Sequence, residues 1–228
     1  MNWFDKLSET FLTDDRYMWL VDGLGVTVII TLGALAIGVL IGTLIAITKY
    51  FCEGNPKLRF LNWLCDLYTT VIRGIPVTVL LLVFFFVVFA SARDGTPVAI
   101  VAFGINSGAY MAELIRGGIQ AVDKGQMEAG RSLGLSKLQT MYKIIFPQAI
   151  RYILPAIGNE MIALLKETSV AGYVAVRDIT KAGDQVRNVT YDAVNPLLTV
   201  AVTYLGMVVI LTALLSLLEK RLAKSDKG

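Results

Sequence analysis

The 228 residues are 55% hydrophobic and 17% charged, with a formal net charge of +3. That composition argues against an ordinary soluble domain and for a membrane protein. The absence of histidine excludes histidine catalysis, histidine metal ligation and a histidine pH switch, and two cysteines, Cys52 and Cys65, are too few for a disulfide framework.

In chain order, residues 1–22 set Asp5, Glu9, Asp14, Asp15 and Asp22 against Lys6 and Arg16. Trp3, Phe4, Leu7 and Phe11 recur at helical spacing, which predicts an amphipathic helix at the membrane surface. A basic start and a small-residue cleavage site are missing, so the segment does not read as a cleaved signal peptide. Gly23–Thr48 is charge-free over 26 residues, enough for a helix to cross a bilayer core of about 30 Å. Ala34, Gly38, Gly42 and Ala46 fall four apart within it and make a small-residue stripe on which another helix can pack closely.

Lys49–Arg59 is a short basic loop. A second span is expected over about 61–90, interrupted by Asp66 and Arg73 and kinked by Pro76, which lacks a backbone donor. Arg73 has two readings of equal weight: a residue reaching to the membrane edge, or a lining residue of a pathway. A turn follows at Ser91–Thr96, and then a third span over about 97–115. Asn106 and Glu113, seven apart, share a face of it, and polar groups inside a membrane face protein or water. Interhelical hydrogen bonding is the preferred role for Ser107 and Tyr110.

Residues 123–150 form a polar, basic stretch with two short helices expected. The first, Gln126–Leu133, closes at Gly134, and Ser136 has the side chain to cap the second. Leu138, Met141, Ile144 and Ile145 give the second an apolar face, and Pro147 disturbs its end. A weaker span over about 152–172 carries Asn159, Glu160, Lys166 and Glu167, with Pro155 expected to break it early; such charges are tolerated only if they pair or line a wet cavity. Tyr173–Ala193 is polar, with a short helix expected around Ile179–Val189. Ala193–Leu218 is a second charge-free run and the last span, and 219–228 forms a basic tail.

Five spans place Lys49–Arg59, Arg116–Arg151 and the tail on one side, with thirteen Lys/Arg against six on the other. Positive residues concentrate inside, so the stretch 123–150 and the C-terminus are expected in the cytoplasm, Cys52 and Cys65 as reduced thiols near that side, and the N-terminus outside. The chain contains no Gly-rich nucleotide loop of the form G-x-x-x-x-G-K-[ST].

Glu128, Ala129, Gly130, Gly134, Ile144, Phe146 and Pro147 resemble the EAA loop of ABC importer permeases, which reads E-A-A, three residues, G, nine residues, I, one residue, L-P. Here Gly130 replaces the second alanine and Phe146 the leucine. The resemblance implies a coupling helix, with Leu135 beside Gly134 in the joint, docking on an ATPase subunit. Arg73-Gly74-Ile75-Pro76, the run Asn106–Ile119 and the segment Gly158–Ser169, which includes Thr168, resemble the polar amino-acid permeases of the same superfamily. Ile75 and Leu80 stand where those proteins carry threonine and often glutamine, which removes the polar side chains at those two positions.

The expected protein is therefore an all-α polytopic membrane protein of about five spans with a cytoplasmic coupling-helix loop, similar to the type I ABC importer fold. The resemblance implies the permease subunit of an importer for polar or charged amino acids in a bacterial cytoplasmic membrane. Its expected partners are two ATPase subunits that bind the ATP and magnesium, a second permease copy or paralogue, an extracytoplasmic binding protein, the amino acid and the lipid bilayer, with no nucleic acid and no catalysis in this chain. Arg73, Asn106, Glu113, Asn159, Glu160, Lys166, Glu167 and Thr168 are the expected pathway residues. A permease for another small solute, a gradient-driven transporter using Glu113, Glu160 and Glu167, and a plain membrane anchor are the alternatives; the EAA-like loop argues against the second, and the cost of intramembrane charge against the third.

Overall fold

The computed structural model describes the backbone of residues 3–52 and 55–224 and the side chains of 6–52 and 55–222. Parts of three expected features, the start of the N-terminal segment, the centre of the Lys49–Arg59 loop and the end of the basic tail, lie outside the described residues. Those that are described are helical or connecting, without a strand.

Helix α1 (Trp3–Leu12) meets α2 (Arg16–Cys52) through a tight turn in which Asp14 and Asp15 take left-handed backbone angles. After the loop come α3 (Arg59–Gly74) and α4 (Val77–Val83), then α5 (Gly95–Gln120). Among the described residues, three stretches are long and apolar enough to cross a membrane: Lys6–Cys52, Gly95–Gln120 and Val194–Leu222. The single second span expected over 61–90 is instead a broken pair bent by 105° between Gly74 and Val77. Ile75 and Pro76 are both extended there, because proline disfavours helical geometry in the residue before it.

The core forms around α5, two-thirds of whose apolar window is buried, against 6% for the last helix. Its most extensive partner is α2, and the small-residue stripe is the reason. Ala34, Gly38, Gly42 and Ala46 are all buried. A methyl on Gly38 would come within 2.7 Å of Ser107 Oγ, and one on Gly42 would collide with Met111. The fit is reciprocal, since Gly104 and Gly108 on α5 receive Ile37 and Ile41 of α2. Close packing at small residues replaces the hydrophobic effect that lipid cannot supply. Ile30, Leu81, Phe103 and Leu164 extend this core to α4 and to the later helix Phe146–Glu167.

The two expected short helices of the polar stretch are α6 (Lys124–Ser132) and α7 (Lys137–Thr140). A wide turn over Met141–Ile145 carries the chain into α8 (Phe146–Glu167). Pro147 therefore lies in the first turn of α8, where its missing N–H costs nothing, rather than disturbing a helix end. Pro155 does not break α8 but sits inside it. Charge keeps α8 out of the group of helices apolar enough to cross a membrane, although it packs on α5 and the last helix.

Helix α9 (Ile179–Thr190) is capped by Asp178, which accepts from the Thr180 and Lys181 amides, and α10 (Val194–Lys224) completes the chain. Asp192, buried in the turn before α10, accepts from Asn195 Nδ2 at 2.6 Å and Thr10 Oγ1 at 3.1 Å, and Lys6 stands 3.7 Å away. This carboxylate ties α1 to α10. Burial pushes its pKa up, but the Asn195 side chain, the Asn195 and Val194 amides and Thr10 outweigh that and hold it below the usual value. A lowered pKa gives stability that is complete above the unfolded value of about 4 and disappears as pH falls through the folded one. Asp192→Ala is expected to cost about 2 kcal/mol at pH 7, since a buried acceptor of several bonds is lost, and to matter progressively less below pH about 4. Thermal melting of the two proteins across that range checks both.

Candidate functional site

Two features carry the expected site residues: a charged cavity beside α3 and the surface loop 123–150.

Along α3 the residues divide into two stripes. Phe60, Trp63, Leu67 and Val71 are exposed and apolar, while Asn62, Asp66, Thr69, Thr70 and Arg73 line cavities towards α5. One cavity, of about 490 Å³, is bounded by Lys49, Asp66, Arg73, Tyr110, Glu113 and Arg116 among others. A second, of about 750 Å³, shares Lys49, Asp66 and Arg116 and reaches Asn55, Arg59 and Gln120. The two make one polar trough beside the loop-side ends of α2 and α5.

Lys49 is the centre of its charge network. The ammonium, on a side chain only 14% exposed, lies 2.7 Å from Asp66 Oδ1 and 3.4 Å from Glu113 Oε1. Arg116 holds the other Glu113 oxygen at 2.7 Å. Arg73 stands over the Tyr110 ring, 5.3 Å from its centroid, a cation–π contact. Arg73 and Glu113 thus meet in one cavity. Lys49, Asp66 and Arg116 were not among the sequence-derived site residues. Their signal was an acid inside a span facing a lysine at the end of the preceding one, and sequence spacing alone does not pair them.

The remaining pathway residues lie elsewhere. Asn106 is buried in α5. Glu160, partly buried, accepts from Ser107 Oγ at 3.2 Å, so Ser107 does bond between helices. Asn159 and Lys166 are exposed, Glu167 is partly buried, and Thr168 is buried with its hydroxyl donated to the Leu165 carbonyl. Of the charges Arg73, Glu113, Lys166 and Glu167, the trough is lined by the first two.

The loop 123–150 is a helical hairpin capped at both of its short helices. Asp123 caps α6 by accepting from Gly125 N, and Ser136 and Gln139 form a reciprocal capping box on α7. Between them Gly134 takes φ +83°. Its amide donates to Arg131 O at 3.0 Å and that of Leu135 to Gly130 O at 3.1 Å, the Schellman closure of α6. Gly130 is buried, and a methyl there would come within 2.9 Å of Thr140 Oγ1 and 3.1 Å of Ile144 Cδ1. That contact accounts for glycine at the second alanine of the EAA pattern. Glu128 and Ala129 are exposed on the outer side of α6, and Pro147 lies in the first turn of α8. Leu138 does not join the inward face formed by Met141, Ile144 and Ile145. It is 58% exposed, with Leu133 at 80% and Tyr142 at 73%; the wide turn at Met141–Ile145 shifts the helical register, so the face expected from spacing alone is divided. The loop therefore presents apolar side chains outward from a stiff frame, the character of a protein-docking surface. Gly134→Ala puts a Cβ into a left-handed position at a cost of about 1 kcal/mol. It is expected to speed hydrogen exchange of the 134 and 135 amides while that of α5 stays unchanged.

Comparison with known proteins places this architecture. The profile of the family described as "Binding-protein-dependent transport system inner membrane component" matches residues 38–224. The chain is 33% identical over 211 residues to the arginine transport system permease protein ArtQ of Bacillus subtilis (strain 168), covering 91% of this chain and 94% of ArtQ. It is 37% identical over 213 residues to the probable glutamine ABC transporter permease protein GlnM of the same organism, covering 92% and 96%. A crystal structure of an amino acid ABC transporter with histidines matches with a TM-score of 0.84 at 39% identity, over 92% of this chain and 98% of that one. The MetNI methionine ABC transporter in an inward-facing form shares the fold, with a TM-score of 0.77 at 22% identity, over 90% and 97%.

Proposed function

The chain belongs to the family of binding-protein-dependent transport system inner membrane components, and from that premise we propose that it is the permease subunit of a type I ABC importer for polar or charged amino acids. In this reading α8 is a fifth span beside the three long ones and the broken pair. The N-terminus lies outside a bacterial cytoplasmic membrane, and the loop 123–150 and the C-terminus lie inside. Two permease chains, identical or paralogous, enclose the pathway with two ATPase subunits below, which bind the ATP and magnesium. An extracytoplasmic binding protein delivers the amino acid.

The observation that carries this reading is the surface loop. Leu133, Leu138 and Tyr142 project from a doubly capped hairpin, which suits a joint that transmits force from a partner. Closure of the ATPase pair on ATP moves the loop, and α8, continuous with it through the turn at Met141–Ile145, moves the spans. The charged trough supplies what a zwitterion needs along the way: the Arg73 and Arg116 guanidinium groups for its carboxylate and the Glu113 carboxylate for its ammonium.

The names of the relatives support an amino-acid solute, ArtQ for arginine and GlnM for glutamine. Uptake of labelled glutamine and arginine by proteoliposomes holding the complex, with sugars and phosphate as competitors, tests it. Uptake that competing amino acids suppress and sugars leave alone is expected. Uptake suppressed by a sugar or phosphate and untouched by amino acids rejects the solute class.

A further inference from the structure

The two halves of the broken span are held in different ways. α4 is anchored by apolar burial: Leu80 is 4% exposed and Leu81 fully buried in the main core. α3 has a single buried residue, Thr69, and its apolar stripe faces outward. Among the described residues, polar contacts join it to the rest. The Tyr68 hydroxyl donates to the Ile105 carbonyl at 2.6 Å, Arg73 lies on Tyr110, and Asp66 pairs with Lys49. Ile75 and Pro76 interrupt the helical ladder between the halves, and nothing lies within 4 Å of a Cβ on Gly74.

We propose that α3 is a hinged arm, pivoting at Gly74–Pro76 and latched at rest by the Lys49–Asp66 ion pair, and that release of this latch is part of the transport cycle. The charge arrangement suits release. Lys49 stays paired with Glu113 when Asp66 departs, so no buried ammonium is stranded. Asp66, half-exposed, accepts from Asn62 Nδ2 of its own helix at 2.9 Å and carries that partner with it. Apolar α4 stays in place, so only a few backbone torsions change. Lys49 and Asp66 are positioning residues here: they set where the arm rests.

The inference rests on the ATP-driven reading above, and the test uses the whole complex with its ATPase in proteoliposomes. With Cys52→Ser and Cys65→Ser as background, Lys49→Cys and Asp66→Cys are joined by a short reducible bismaleimide. Cross-linking is expected to lower uptake and transport-linked ATP hydrolysis about tenfold, with recovery on reduction. Asp66→Asn keeps the side-chain shape and an acceptor for Asn62 but removes the charge. It is expected to raise ATP hydrolysis in the absence of solute about fivefold, a readout that a merely structural role would not move upward. Cross-linked complexes that work as well as uncross-linked ones, or an Asp66→Asn complex with unchanged solute-free hydrolysis, overturn the hinge and latch. A wild-type complex without ATP-driven uptake instead sinks the importer reading, whereas a wild-type complex that takes up solute while Asp66→Asn hydrolyses ATP no faster without solute overturns the latch alone.

Discussion

Gly42→Leu is expected to abolish the folded protein. The Cβ alone would collide with Met111 of α5, and three further carbons have no space in an interface already lined by Gly38, Gly104 and Gly108. Overpacking of a close contact costs about 3 kcal/mol even when neighbours adjust, and here the obstacle includes the α5 backbone at Ala112 N, 2.8 Å away. Adjustment therefore means separating α2 from α5, the largest interface of the fold. Detergent-solubilised Gly42→Leu should elute as aggregate or melt far below wild type. Gly206→Leu is the control, because nothing lies within 4 Å of a Cβ there, and it should melt within a few degrees of wild type. A Gly42→Leu protein as stable as the control would show that α2 and α5 do not meet as described.

The second large effect is expected at the loop. Leu133→Asp combined with Tyr142→Asp places charge on the two most exposed apolar side chains of the hairpin, 80% and 73% accessible. Neither supports the fold, so the melting temperature should hold. A central apolar residue at an interface is worth about 2 kcal/mol, about thirtyfold in affinity, and two of them should release the ATPase partner from the purified complex. Retention of the partner at wild-type stoichiometry would place the docking surface elsewhere.

Much of this was legible in the sequence because local rules decided it. The stripe Ala34–Gly38–Gly42–Ala46 predicted a close helix contact, and one is found. Gly134 and Ser136 predicted the ends of two short helices from capping chemistry that operates within a few residues. Pro76 announced a kink, but not its size: whether a proline bends a helix slightly or breaks it by 105° depends on where the two halves find packing. The Lys49 network is not legible in the sequence because its members are 17 and 64 positions apart, and nothing local indicates that two charges will meet across three helices. The exposure of Leu138 is not legible either, because one wide turn shifted a helical register that spacing assumed constant. The charges of α8 were visible as residues, yet only the fold separates Glu160, held by Ser107, from Glu113, held by Lys49.

In the proposed importer, ATP hydrolysed by a partner on the loop drives a solute through this chain. The most direct test is uptake by proteoliposomes containing the complex purified from native membrane, with binding protein outside and ATP inside, compared with the same vesicles given only a proton or sodium gradient, and repeated with Glu128→Arg on the exposed side of α6. Amino-acid uptake that requires ATP, ignores the gradients and is lost in Glu128→Arg is the predicted result. Uptake driven by a gradient without ATP, and unaffected by the loop substitution, would contradict it.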